Sequence, residues 1–138
     1  MSEQLKLYKG FDYAALKDIA KNANNQQIIR DVEYGKLLNH VSPTNMYCER
    51  INDMAFIIGQ VQKERFRIIG MGTKEAHKRK GLAGYLLKRC IQFSKERGLK
   101  KIATRSKSGA DFYCKRGFDV VGMRGGGDYL LELSIETK

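Results

Sequence analysis

What the chain lacks narrows the reading first. No apolar run in its 138 residues approaches the roughly 20 in a row that a spanning helix needs, and 30% of the residues are charged. A membrane partner is therefore not expected. The stretch Met-Ser-Glu-Gln-Leu-Lys at the start has no apolar core of the kind a secretory leader carries, so a cytoplasmic location is expected. Cysteine is scarce: Cys48, Cys90 and Cys114 are odd in number and far apart. That spacing offers neither a disulfide framework nor paired metal ligands, and it points to free thiols in a reducing compartment and to no bound metal. Nowhere does Gly-Lys precede Ser or Thr, which excludes a Walker phosphate loop. Gly70-Met71-Gly72 is followed by Glu75 where the third glycine of a dinucleotide fingerprint belongs. Repeats, low-complexity stretches and internal linkers are absent too, so residues 1–138 read as one domain, long enough for a real core.

Acidic residues are also scarce, but only in one place. The net charge is +11, and between Lys74 and Arg116 fourteen Lys and Arg face only Glu75, Glu96 and Asp111. The rest of the chain balances at twelve of each sign, so the whole excess lies in that stretch. A field of this kind attracts an anionic ligand, a further acidic partner or nucleic acid.

The pattern along the chain alternates strands and helices. Leu5 to Tyr8 reads as a short strand, and Asp12 as the cap of a helix running to about Asn22 with Leu16, Ile19 and Ala20 inward. A second helix from about Gln26 to Asn39 is expected to bury Ile28, Ile29, Val32, Leu37 and Leu38, with Gly35 a soft point and His40 a surface or capping residue near its end. Three strands come next: Met46–Ile51, Met54–Gln62 and one running from Arg65 to Gly72. A helix opens at Gly81 with Leu82, Leu86, Cys90 and Phe93 at helical spacing, and Gly98 stands where a C-terminal cap glycine belongs. Lys101 to Arg105 is a strand and Ser108 to Lys115 a short helix. Phe118 to Met123 and Tyr129 to Ile135 form a hairpin, whose Gly125-Gly126-Gly127 reads equally as a mobile loop or a plain turn. The order β-α-α-β-β-β-α-β-α-β-β predicts an α/β (α+β) fold: a mixed sheet of about seven strands with about four helices, in which an antiparallel meander leads into a parallel pair.

The strand, basic loop and helix from Arg65 to Gly98 have a chemical use. The first turn of a helix leaves backbone N–H groups without partners at the positive end of the dipole. Gly81, Ala83 and Gly84 keep side chains from blocking the N–H groups of that turn, which Leu82 shares, so a diphosphate can lie on it, with Lys78, Arg79 and Lys80 adding charge.

Two stretches carry a resemblance. Lys78-Arg79-Lys80-Gly81-Leu82-Ala83 resembles the coenzyme A pyrophosphate loop of the GNAT N-acetyltransferase superfamily, Arg/Gln-x-x-Gly-x-Gly/Ala. Gly109-Ala110-Asp111-Phe112-Tyr113-Cys114-Lys115-Arg116-Gly117-Phe118 resembles that family's second signature, Ala-x-x-Phe-Tyr-x-x-x-Gly-Phe. Lys78 stands in place of the usual Arg or Gln, and Ser106 where the family often has Asn. The resemblance implies a single GNAT-like domain that takes acetyl-CoA as co-substrate and passes its acetyl group to an amine. It also implies that the acyl-pantetheine arm inserts where the parallel pair splays apart. It places Tyr113 beside the leaving thiolate as general acid and a backbone N–H near Met71, Gly72 or Thr73 at the oxyanion. The family's strand carboxylate is missing from Arg65-Phe66-Arg67-Ile68-Ile69. Glu75, His77, Glu49 and Glu33 are the remaining carboxylates and imidazole weighed as base, and none is assigned.

Two other readings compete with an active N-acetyltransferase. A nucleic-acid-binding module would use the basic half, though Lys88, Arg89 and Lys95 on the helix would contact phosphates and read few bases. A catalytically idle domain that binds coenzyme A is kept open by the missing strand carboxylate. The acceptor amine, a homodimer and a further acidic partner stay open.

Overall fold

A computed structural model describes residues 4–136. Its seven strands are β1 (Leu7–Lys9), β2 (Met46–Ile51), β3 (Ala55–Gln62), β4 (Arg65–Thr73), β5 (Lys101–Ser106), β6 (Asp119–Met123) and β7 (Tyr129–Ser134). Its helices are α1 (Tyr13–Lys21), α2 (Gln26–Val41), α3 (Leu82–Glu96) and α4 (Ala110–Cys114), with short 3-10 turns at Pro43–Asn45 and Glu75–His77.

Local chemistry explains most boundaries. The Asp12 carboxylate accepts from the Ala15 N–H at 3.2 Å and starts α1, and the Asn25 side chain accepts from the Gln27 N–H at 2.9 Å and starts α2. At the end of α3 the Leu99 N–H reaches the Ser94 carbonyl and the Gly98 N–H reaches that of Lys95, each at 3.0 Å. This is a Schellman close, with Gly98 at φ 70°. β1 lies two residues later at its start than the sequence suggests, because its register is set by pairing Leu7 with Ile51.

The strand order is β1-β2-β3-β4-β5-β7-β6. Every neighbouring pair is antiparallel except β4 with β5, whose parallel pairing is bridged by α3. β7 enters between β5 and β6, which leaves β6 on the edge with Val120, Val121 and Met123 exposed. Helices cover both faces. On one side α3 packs Leu82, Leu86, Leu87 and Cys90 onto Ile57, Phe66 and Ile102. On the other, α1 and α2 bring Leu16, Ile19, Ile28 and Val32 onto Phe56 and Ile58. β3 serves both cores, and Ala55–Ile58 are all buried.

α2 corrects one expectation. Ile28, Val32 and Gly35 form its buried stripe, whereas Leu37 is 57% exposed. Nine residues separate Ile28 from Leu37, which at about 100° each puts them on opposite sides of the helix. Gly35 is no soft point: a methyl group there would stand 3.2 Å from the Ile58 side chain, so the helix rests on the sheet at this residue.

Two irregularities in β4 open one end of the sheet. Ile58 pairs with Gly70 but Gly59 pairs with Ile68, so Ile69 is an extra residue, a bulge. The bulge changes which side of the sheet the strand's alternate residues face. Phe66 and Ile68 belong to the α3 core, while Gly70 and Gly72 lie against α2, beside Asp31 and Ile28. The pairing of β4 with β5 also stops at Arg67 and Ala103, so the two strands part from Ile68 and Thr104 onward.

Candidate functional site

Where β4 and β5 part, a cleft of about 830 Å³ opens. Its floor is β4 from Ile68 to Thr73, one wall is β5 from Thr104 to Ser106, and its ends are the start of α3 and the residues Phe112 and Tyr113 of α4. Alternate backbone N–H and C=O groups of β4 that would have bonded a parallel neighbour face this gap.

The first turn of α3 lies open at the cleft. Gly81 precedes it at φ 79°, a left-handed conformation that costs a side-chain-bearing residue about 1–2 kcal/mol. No side chain caps the helix and its first turn carries no acid. The N–H groups of Leu82, Ala83 and Gly84 therefore present the positive end of a 15-residue helix to the cleft. Arg116 lies above that turn. A methyl group on Gly84 would come within 3.1 Å of its guanidinium, which also stacks 3.8 Å from the Phe112 ring centroid and donates to the Phe112 carbonyl at 2.9 Å. Sequence reasoning passed over Arg116; its place within the Phe-Tyr-x-x-x-Gly-Phe stretch was the available signal.

Of the residues expected here, Met71, Gly72, Thr73, Lys78, Arg79, Gly81, Leu82, Ala83, Gly84 and Tyr113 all line the cleft, and Lys80 does not. The loop cations are used differently from one another. Lys78 donates to the Ala23 carbonyl at 3.0 Å and pairs with Glu75 at 2.9 Å, so its ammonium ties the loop to the α1–α2 junction. Lys80 sits 2.9 Å from the His77 ring. Arg79 takes a left-handed φ of 68° at the cleft rim.

Tyr113 is 7% exposed, set edge-on between Phe112 and Phe118 at 5.2 Å from each ring centroid. α4 is held in place at its start by the Gly109 N–H donating to Ser106 Oγ at 2.8 Å. Burial pushes the Tyr113 phenol up to about 12, a rise opposed by the Thr104 hydroxyl. It is therefore protonated at neutral pH and has an O–H to donate.

The groups weighed as base separate cleanly. Glu49 is 3% exposed on the α3 side, gripped by Arg89 and Tyr47, and forms no part of the cleft. Glu33 is exposed and accepts from Tyr13, and Glu75 is paired with Lys78; neither lines the cleft. His77 does line it, beside Lys80. Two carboxylates line the cleft: Asp128, just before β7, and Asp31 on α2, which no sequence motif marked. Asp31 rests against Gly70, where an added methyl group would stand 2.5 Å from the Asp31 Cβ. Burial raises its carboxyl to about 6, although the Gln27 amide, Arg105 and Arg67 pull the other way, and Asp128 adds to the rise. Position was the available signal: Asp31 lies between Ile28 and Val32, the inward residues of α2.

Comparison with known proteins bears on the same arrangement. No curated protein sequence matches the chain. Solved structures match its fold closely. The ribosomal-protein-S18-alanine N-acetyltransferase from Escherichia coli superposes with a TM-score of 0.79 at 15% identity, over 98% of this chain and 96% of that one. The PaiA N-acetyltransferase from Thermoplasma acidophilum, in complex with coenzyme A, gives 0.78 at 18% identity, over 96% and 99%. Ard1 from Thermoplasma volcanium gives 0.70 at 16%, over 96% and 99%. At these identities the likeness establishes the fold. The sequence itself fits the profile of the acetyltransferase (GNAT) family across residues 14–118, from α1 through both cleft-lining stretches to Phe118. The split sheet, the uncapped helix and the Phe-Tyr stretch all lie inside a match that takes in most of the chain, and this protein belongs to the acetyltransferase (GNAT) family.

Proposed function

We propose that this chain is an acetyl-CoA-dependent N-acetyltransferase that moves the acetyl group straight from the thioester to an amine, with no covalent enzyme intermediate. The observation that carries the reading is the convergence, on one cleft, of the uncapped N-terminus of α3 with the parted edge of β4 and the buried phenol of Tyr113.

The residues fit such a ligand. N–H groups of Leu82, Ala83 and Gly84 would hold the diphosphate, with Arg79 and Arg116 beside it. The unpaired edge of β4 would take the amide-bearing arm as a neighbouring strand would, and an N–H near Met71 to Thr73 would bind the oxygen as charge develops on it. Tyr113 would donate to the departing sulfur. With its phenol at about 12 and a thiol near 8.5, complete transfer from Tyr113 is uphill, so its part is a hydrogen bond that strengthens as sulfur becomes anionic. Cys114, though exposed, adjoins no His in sequence and is given no role as nucleophile. The three free thiols and the absence of any membrane-crossing helix among the described residues suit a reducing cytoplasm.

The acceptor is an amine, as it is by name for two of the structural neighbours. The test is a thermal-shift titration with acetyl-CoA, then an amine panel read by thiol release. Stabilisation by acetyl-CoA and amine-dependent release of thiol are expected. No stabilisation at millimolar acetyl-CoA would overturn the reading.

A further inference from the structure

β4 carries no carboxylate, and in its place the cleft has one brought from the opposite element. We propose that the Asp31 carboxylate, set by α2 against Gly70 of the bulged strand, binds the acceptor's ammonium and takes its proton. The inference rests on the acetyltransferase reading and adds the acceptor's chemistry to it: a protonated amine entering from the α2 side of the cleft.

Three observations converge. First, the position is built. The bulge at Ile69 turns Gly70 toward α2, and only a residue without a side chain lets Asp31 approach, since a methyl group there would stand 2.5 Å from its Cβ. Second, the carboxylate is short of partners. It accepts from the Gln27 amide at 3.0 Å and, among the described residues, forms no ion pair. A carboxylate has room for about four hydrogen bonds, so this half-buried one, lining the cleft, keeps most of its capacity unfilled by the protein. Third, it shares that cleft with Tyr113, whose phenol its charge helps to raise.

The groups around it define its titration. Gln27 lies on α2 itself, Arg67 on β4, Arg105 on β5, Asp128 beside β7 and Tyr113 on α4. Arg67 and Arg105 act on Asp31 without a direct bond, and burial outweighs them. The result, about 6, is close to what a base working at neutral pH needs.

The step balances. The amine nitrogen loses two protons as its bond to the acetyl carbon forms and the carbon–sulfur bond breaks. Asp31 takes the first and returns it to water. The second passes from nitrogen to sulfur, while the Tyr113 hydroxyl keeps its own proton and hydrogen-bonds the sulfur. No oxidant, reductant or metal enters.

The experiment compares the parent with Asp31→Asn, at saturating acetyl-CoA, across pH 5 to 9. Probes are an alanine-starting peptide, Nα-acetyl-lysine amide and spermidine, with slow acetyl-CoA hydrolysis as the reaction monitored if none is acetylated. For the parent, the rate is expected to rise through about pH 6. Asp31→Asn is expected to lose that limb, to lower the rate by about 10²-fold and to raise KM for the amine while leaving acetyl-CoA affinity unchanged in calorimetry. A folded Asp31→Asn protein with the parent's pH limb and a rate within about threefold of the parent overturns the role of Asp31. A parent that fails to bind acetyl-CoA overturns the acetyltransferase reading instead, and calorimetry separates the two failures.

Discussion

Glu49 and Asp31 are carboxylates set on opposite faces of one sheet, the first buried and the second half-buried, and their surroundings differ. On the α3 face, Glu49 receives Arg89 through both oxygens at 2.8 and 2.9 Å and the Tyr47 hydroxyl at 2.7 Å. On the α2 face, Asp31 receives, among the described residues, Gln27 alone at 3.0 Å, and its carboxyl is pushed up to about 6. One carboxylate has its bonding capacity filled by the protein and works as a fastening between β2 and α3. The other has one protein hydrogen bond and lines the open cleft. Burial by itself marks neither function; the unfilled capacity at an open cleft does.

Placing a third carboxylate tests the contrast hardest. Gly81→Glu puts negative charge at the open start of α3, where the account has a diphosphate. Acetyl-CoA binding is expected to vanish in calorimetry while the fold survives with a loss of about 1–2 kcal/mol from the left-handed backbone. Parent-like affinity would remove the phosphate site from α3.

Next in size is Glu49→Ala. It strands Arg89 and Tyr47 and is expected to cost about 3 kcal/mol, the low end for a broken buried pair because Arg89 is a third exposed. Thermal unfolding should fall by roughly 10 °C, with acetyl-CoA affinity of the folded protein unchanged. Lost affinity with normal stability would invert the comparison.

Tyr113→Phe keeps the ring between Phe112 and Phe118 and removes one oxygen. Turnover is expected to drop by about 10²-fold with affinity for acetyl-CoA unchanged, measured where chemistry limits the rate. An unchanged rate under those conditions would leave Tyr113 as a packing residue.

Asp31→Asn should do to stability the opposite of Glu49→Ala. The carboxyl's folded pKa, about 6, lies above its ordinary 3.8, so the folded state binds the proton more tightly than the unfolded chain. Its contribution is present in full below about pH 4 and is lost as pH rises through about 6. At pH 7 the ionised group therefore costs up to about 3 kcal/mol, part of which Asn relieves. Thermal unfolding at pH 7 should rise by several degrees, and the difference should close at pH 4. A variant less stable than the parent at pH 7 would place Asp31 with Glu49 as a fastening.

Much of the fold was legible in the sequence. The helix α1 buries the residues its spacing named, Leu16, Ile19 and Ala20, and all seven strands fall within about two residues of their expected limits. The parallel pair joined by α3 could be read from strand and helix order, as could the open glycine turn before α3. What escaped depends on contacts between elements distant in sequence. The insertion of β7 between β5 and β6 leaves no local mark on either strand. The bulge at Ile69 exists only as a mismatch of registers across β3 and β4. Asp31 has chemical meaning because Gly70, nearly forty residues later, makes room for it. Lys78 read as a phosphate ligand from its motif, yet its ammonium is bound to Ala23, a partner that folding alone supplies.

The central claim is that acetyl-CoA lies along the parted strand with its diphosphate on the first turn of α3. Backbone amide NMR of the ¹⁵N-labelled parent, titrated with acetyl-CoA, tests it most directly. The account expects saturable shifts concentrated at the N–H groups of Leu82, Ala83 and Gly84 and along Met71 to Thr73, with the signals of Glu49 and Arg89 still. Shifts centred instead on the far side of the sheet, around Lys63, Lys100 and Glu132, would contradict it.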